Sequence, residues 1–250
     1  VVDAYLPILL VGAAVAGFVQ GLSGFAYGLV AMSFWAWTVP PQLAAVMAVF
    51  GALTGQVIAA VTTRRGFAWT VLGPFLVGGL LGVPLGVWLL PALDVPLFKL
   101  GLGVLLVTWC PVMLFSTRLP AIRWGGRPAD AVAGLVGGVM GGIGGFAGAV
   151  PTLWCTLRRL PKDTQRAVIQ NFNLSVLIVA FGLQGAAGLI TREMLPLFAW
   201  VAPAMLVPSL LGARLYIGIS EPAFRRLVLG LLTASGVALL ASSVPQLLSR

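Results

Sequence analysis

Two glycine-rich breaks carry the residues in this chain that can do chemistry. Gly21-Leu22-Ser23-Gly24-Phe25-Ala26-Tyr27-Gly28 interrupts one apolar block, and Gly141-Gly142-Ile143-Gly144-Gly145-Phe146-Ala147-Gly148 interrupts another. A glycine turn that opens a helix presents backbone N–H groups and the positive end of the helix dipole, and both favour an anion. Each helix end counts as about half an elementary charge, so two facing tips balance about one negative charge without a buried Lys or Arg. Ser23, Gly24, Phe25, Gly144, Gly145 and Phe146 are therefore candidate anion-binding residues. Ser23 can also cap its helix or offer a hydroxyl to the ligand.

Side-chain donors come from Gln170, Asn171, Asn173 and Ser175, the densest polar cluster within an apolar block. At 1.5 Å rise per residue, Asn171 lies about 10 Å beyond Thr164, toward mid-depth. Asn171 and Ser175 are four apart and share a face. Asn171, Asn173 and Ser175 join the candidate set, and Gln56 with Thr54 offers the nearest polar partner in the first half. Thr152, Cys155 and Thr156 are weaker candidates and read as packing. Arg214 reads as a snorkelling arginine near a cytoplasmic helix end, with an anion-attracting vestibule as the sharper alternative.

Packing competes for the glycines. Gly134-x3-Gly138-x3-Gly142, Gly24-x3-Gly28 and Gly78-x3-Gly82-x3-Gly86 are spacings that let helices approach closely. Packing is the better reading for any single glycine. It does not explain an interrupted helix, so the paired breaks point to a binding site.

Other chemistries find no residues. The six acidic residues (Asp3, Asp94, Asp130, Asp163, Glu193, Glu221) sit at block ends and there is no histidine. A buried proton relay, a histidine-based hydrolase and a metal site have no candidates. No glycine loop followed by Lys-Ser/Thr offers a nucleotide site. The chain reads as a non-enzyme without cofactor or metal. Cys110 and Cys155 both lie inside apolar blocks, which argues against a structural disulfide.

The elements that must position the two breaks are membrane-spanning helices. The 250 residues are 60% hydrophobic and 8% charged, against about 25% charged in ordinary soluble domains. Apolar blocks of spanning length fill nearly all of the sequence, and the alternating segments of a β-barrel are absent. The partner is then a lipid bilayer. The +9 net charge reflects basic links between apolar blocks, as the positive-inside rule requires, rather than nucleic-acid binding. The chain starts at Val1, so an initiator Met is expected to precede it, and no cleavable signal with a basic start is visible.

At a fixed offset of 121 positions, Gly24 falls on Gly145, Phe25 on Phe146, Ala26 on Ala147, Pro40 on Pro161 and Leu53 on Leu174. The expected fold is an all-α polytopic membrane protein of two repeats. Repeat one, 1–116, holds a hairpin at 4–39 and helices at 42–63, 67–93 and 96–116. A cytoplasmic link spans 117–128. Repeat two, 129–250, holds a hairpin at 129–160 and helices at 164–188, 194–219 and 222–248.

The links at 64–65, 118–127, 158–166 and 225–226 are basic and are placed inside; those at 40–42, 94 and 188–193 are placed outside. Links 117–128 and 158–166 then share a side, so the block between them must enter and return. Its arms, 129–142 and 145–160, are each shorter than a full span of about 20 residues. Equivalent links carry opposite charge in the two halves, which makes the repeats inverted and both termini external. Inverted repeats around a midplane site are the architecture of many secondary transporters.

Gly-Phe-Val-Gln-Gly-Leu-Ser-Gly-Phe-Ala at 17–26 and Gly-Gly-Ile-Gly-Gly-Phe-Ala-Gly-Ala-Val-Pro at 141–151, followed by a basic loop and the polar block with Asn171, resemble the sulfite exporter TauE/SafE family of membrane transporters. The resemblance covers essentially the whole chain. It implies a bacterial inner-membrane transporter of small sulfur-containing anions, sulfite or organosulfonates among them. Ser23 stands where the second copy has Gly144, so the two halves need not contact a ligand equally. The expected function is secondary transport of a small anion by alternating access between the hairpin tips. The alternatives are an anion channel using the same tips as a filter, and a noncatalytic membrane subunit. The oligomeric state stays open, a homodimer being one option.

Overall fold

The computed structural model describes residues 2–23, 26–62, 66–116, 119–122, 124–215 and 221–248. Candidate residues Gly24 and Phe25 lie outside them. The described residues form helices and no strand. In chain order the helices are α1 (Leu6–Ser23), α2 (Tyr27–Trp35), α3 (Pro41–Thr62), α4 (Trp69–Leu89), α5 (Val95–Phe115), α6 (Gly126–Gly144), α7 (Ala149–Leu157), α8 (Lys162–Ala186), α9 (Leu195–Leu215) and α10 (Glu221–Leu248). Among the described residues, seven helices are long and apolar enough to cross a membrane. In a bilayer every backbone group must find its partner within the chain, and α-helices satisfy that locally.

Helices α2 and α7 have 9 residues each, about 14 Å at 1.5 Å per residue, half of a bilayer core. Each folds back along the helix before it. The Trp35 indole, at the end of α2, donates to the carbonyl of Ile8 near the start of α1 at 3.1 Å. At the end of α7, Arg158 pairs with Asp130 in the second turn of α6, and the Trp154 indole donates to the same carboxylate at 2.7 Å. Both breaks therefore turn the chain back to the end from which it came. The arms are unequal, which corrects the expectation of two similar short ones: α6 has 19 residues and α7 has 9. The helical ladder of α6 runs through Gly134, Gly138 and Gly142 without interruption and stops only at Gly145, whose φ of +75° is left-handed.

The glycine spacings are packing seams. A Cβ at Gly78, Gly82 or Gly86 of α4 would strike the backbone of α6, and one at Gly134, Gly138 or Gly142 would strike that of α4. Gly17 and Gly21 of α1 meet α9 at Met205 and Ser209 in the same way. Lipid tails are as apolar as leucine, so such close approach is what holds membrane helices together. Helix α1 thus lies on α9, α6 on α4, α5 on α10 and α3 on α8. Cys110 and Cys155 are buried and free. Lys99 is buried beneath the ring of Trp37, 5.4 Å from its centroid, a cation–π contact that houses a lysine near the start of α5.

Candidate functional site

The two breaks meet inside the helical bundle. A Cβ at Gly28, in the first turn of α2, would lie 2.7 Å from the carbonyl oxygen of Gly145 and 3.0 Å from that of Gly144. One at Gly145 would lie 2.9 Å from the carbonyl oxygen of Ala48 in α3. The tip of the second hairpin is thus wedged between α2 and α3, and only glycine permits it. Gly144, Gly145 and Phe146 are all buried there, the Phe146 ring folding over Gly144. Met32 of α2 reaches the same point.

Ser23 is exposed at the end of α1, and its hydroxyl accepts from the Ala26 N–H at 3.3 Å. Gln20, which the sequence reading did not single out, accepts from the Tyr27 N–H at 3.0 Å and is 4% exposed. Its carboxamide rests on Gly55, beside the candidate Gln56, which is buried in α3. The available signal was a glutamine inside an otherwise apolar run, one turn before the break.

The polar cluster of α8 divides between faces. Asn173 is buried with its carboxamide over Gly148, the residue that opens α7: a Cβ there would lie 2.6 Å from Nδ2 and 2.8 Å from Oδ1. The Asn173 Oδ1 and the Thr152 hydroxyl are buried without a hydrogen-bond partner among the described residues. Asn171 points elsewhere. Its amide donates to the carbonyls of Ala167 at 2.9 Å and Gly66 at 3.0 Å, tying α8 to the segment between α3 and α4. Two positions along an α-helix are about 200° of rotation, so Asn171 and Asn173 cannot share a face. Ser175 is half-buried and Arg214 is exposed near the end of α9. Neither is brought to the tips by any observed contact.

A cavity of about 250 Å³ lies at the start of α8, lined by Gly66, Asp163, Arg166, Ala167 and Gln170. Arg166, Gln170 and Asn173 are spaced four and three apart, which lays them along one stripe of the helix from this cavity toward α7. On another part of the bundle Phe50 of α3, Phe181 of α8 and Phe198 of α9 pack ring on ring, Phe50 and Phe198 having centroids 4.5 Å apart.

The family model described as Sulfite exporter TauE/SafE matches residues 9–239. The chain is similar to the probable inner membrane transporter protein TsaS of Comamonas testosteroni, with 31% identity over 181 residues, 70% of this chain and 73% of that protein. No solved structure matches it.

Proposed function

The chain belongs to the sulfite exporter TauE/SafE family of membrane transporters, and on that premise we propose that it is a secondary transporter of a small anion, sulfite or an organosulfonate, in a bacterial inner membrane. The observation that carries the reading is a helix, α7, that starts inside the bundle beside the buried Asn173 carboxamide, whose Oδ1 has no partner among the described residues. Backbone N–H groups at such a start attract negative charge, and the low dielectric around them strengthens the attraction.

The substrate site lies where the hairpin tips meet, on the side of the second hairpin, among Gly144, Gly145, Phe146 and Asn173, with Ser23 capping the Ala26 N–H of the first. Gln56 supports the tips from α3. Asn171 acts by holding α8 against the α3–α4 segment, and Arg214 belongs to the charged margin. The two halves are inverted repeats, and their exchange maps the α1–α9 contact onto α6–α4. Charge places both termini outside. Access alternates about the tips: the polar cavity at Arg166 is the cytoplasmic approach, and the Phe50–Phe181–Phe198 cluster closes the opposite one. The tight backbone contact between Gly28 and Gly145 favours a transporter over a pore.

Proteoliposomes holding only this protein should take up labelled sulfite or methanesulfonate with saturation. Ohmic single-channel currents in a planar bilayer would establish the channel instead. No transport by the purified chain would leave it a subunit of something larger.

A further inference from the structure

The two hairpin tips are built differently, and the difference assigns the ligand to one of them. We infer that the anion is held at the tip of α7 alone, by the Asn173 carboxamide, the Thr152 hydroxyl and first-turn N–H groups, while the tip of α2 is closed by the chain itself. This rests on the anion-transport reading above and names the groups that do the holding.

At the start of α2 two donors are capped by side chains. Tyr27 N–H goes to Gln20 Oε1 at 3.0 Å and Ala26 N–H to Ser23 Oγ at 3.3 Å. Gly28 in the same turn abuts the carbonyl oxygens of Gly144 and Gly145, so the positive end of α2 faces the negative end of α6. An anion there would have to displace four oxygens already in place.

At α7 the opening residue is Gly148, which has no side chain to cap it, and no other side chain accepts from the first turn among the described residues. Ala149 N–H bonds the Phe146 carbonyl at 3.2 Å and Pro151 has no N–H, which leaves Gly148 and Val150 as donors. Asn173, 2% exposed, lies directly over Gly148 with Oδ1 unpartnered. Thr152 is 4% exposed with its hydroxyl unpartnered, and as the residue four beyond Gly148 it shares that face of α7. Two buried polar groups left unpaired beside an uncapped helix start carry a desolvation cost that a bound ligand would relieve. A bound oxyanion accepts from the amide NH₂, which a half-turn of the carboxamide presents, and from the hydroxyl and N–H groups together.

The charge of the ligand follows. One uncapped helix end supplies about half an elementary charge. That suits a singly charged oxyanionic head such as a sulfonate, whereas a dianion would leave most of its charge uncompensated in a medium of low dielectric.

The test is the melting temperature of the full protein in detergent, titrated with methanesulfonate and, separately, with sulfate. Wild type should be stabilised by methanesulfonate by mass action and less by sulfate. Asn173→Asp, which puts a carboxylate where the anion sits, should raise the half-saturating methanesulfonate concentration by about tenfold or more, the scale of one charged hydrogen bond. Thr152→Val removes only an unpaired hydroxyl, so it should weaken the response without lowering the ligand-free melting temperature. This second variant carries the test if Asn173→Asp does not fold. Gln20→Met should titrate as wild type does. Wild-type titration by the Asn173 and Thr152 variants, or a loss confined to Gln20→Met, would overturn the one-tip assignment and leave anion transport standing. No response of wild type to any anion would overturn both.

Discussion

Gly145 combines a φ of +75° with an approach in which a Cβ would lie 2.9 Å from the Ala48 carbonyl oxygen. A left-handed conformation alone costs an alanine about 1–2 kcal/mol, and here the added methyl must also displace the backbone of α3. Gly145→Ala should therefore lower the melting temperature of the purified protein clearly, by more than the same change at Gly73, where nothing lies within 4 Å. The sequence marks Gly145 because it repeats Gly24 at the second break. It does not separate Asn173 from Asn171, since polarity is shared and only the direction of each side chain differs. Asn171 meets a carbonyl 105 positions away in the chain, at Gly66, and no local pattern contains such a contact. For the same reason Thr152 reads as packing until its hydroxyl is seen to lack a partner.

Among the elements, the second hairpin is fastened at its base by charge. Asp130 is 3% exposed and receives both Arg158 and the Trp154 indole. Removing one partner of a buried pair typically costs 3–5 kcal/mol, but the Arg158 side chain is 25% exposed and water offsets part of the loss. Asp130→Ala should then cost about 1–3 kcal/mol, and Arg158→Met in the same background should restore part of it. Thermal unfolding of the single and double variants measures both. Along the hairpin, α6 needs its glycines for contact. A Cβ at Gly138 would strike the Gly79 backbone, so Gly138→Ala should force α4 and α6 apart and destabilise by about 1–3 kcal/mol. Small residues at four-residue spacing made this seam legible. The unequal arms were not: the glycines at 141–145 read as one break, yet the helix continues through Gly142, where α4 packs on it, and stops only at Gly145.

Across the whole molecule, apolar composition and link charge were enough to anticipate a helical membrane protein with two returning hairpins. Lipid permits few other backbones, and the hairpins follow from basic links on both flanks of one broken block. What composition could not supply is which elements touch, because helix pairing depends on contacts distant in sequence. The pairing of α1 with α9 and of α6 with α4 sets each long hairpin arm against a helix of the other half, an arrangement suited to two halves that rock about the tips. In the alternating-access reading proposed above, the cavity at Arg166 and the phenylalanine cluster would mark one end of that motion. The most direct measurement is counterflow: proteoliposomes of the purified protein, preloaded with unlabelled methanesulfonate and diluted into a trace of labelled methanesulfonate. A carrier that alternates about an anion site should show a transient accumulation of label inside the vesicles above its equilibrium level. Label that rises only to equilibrium, at the same rate with and without preloading, would contradict it.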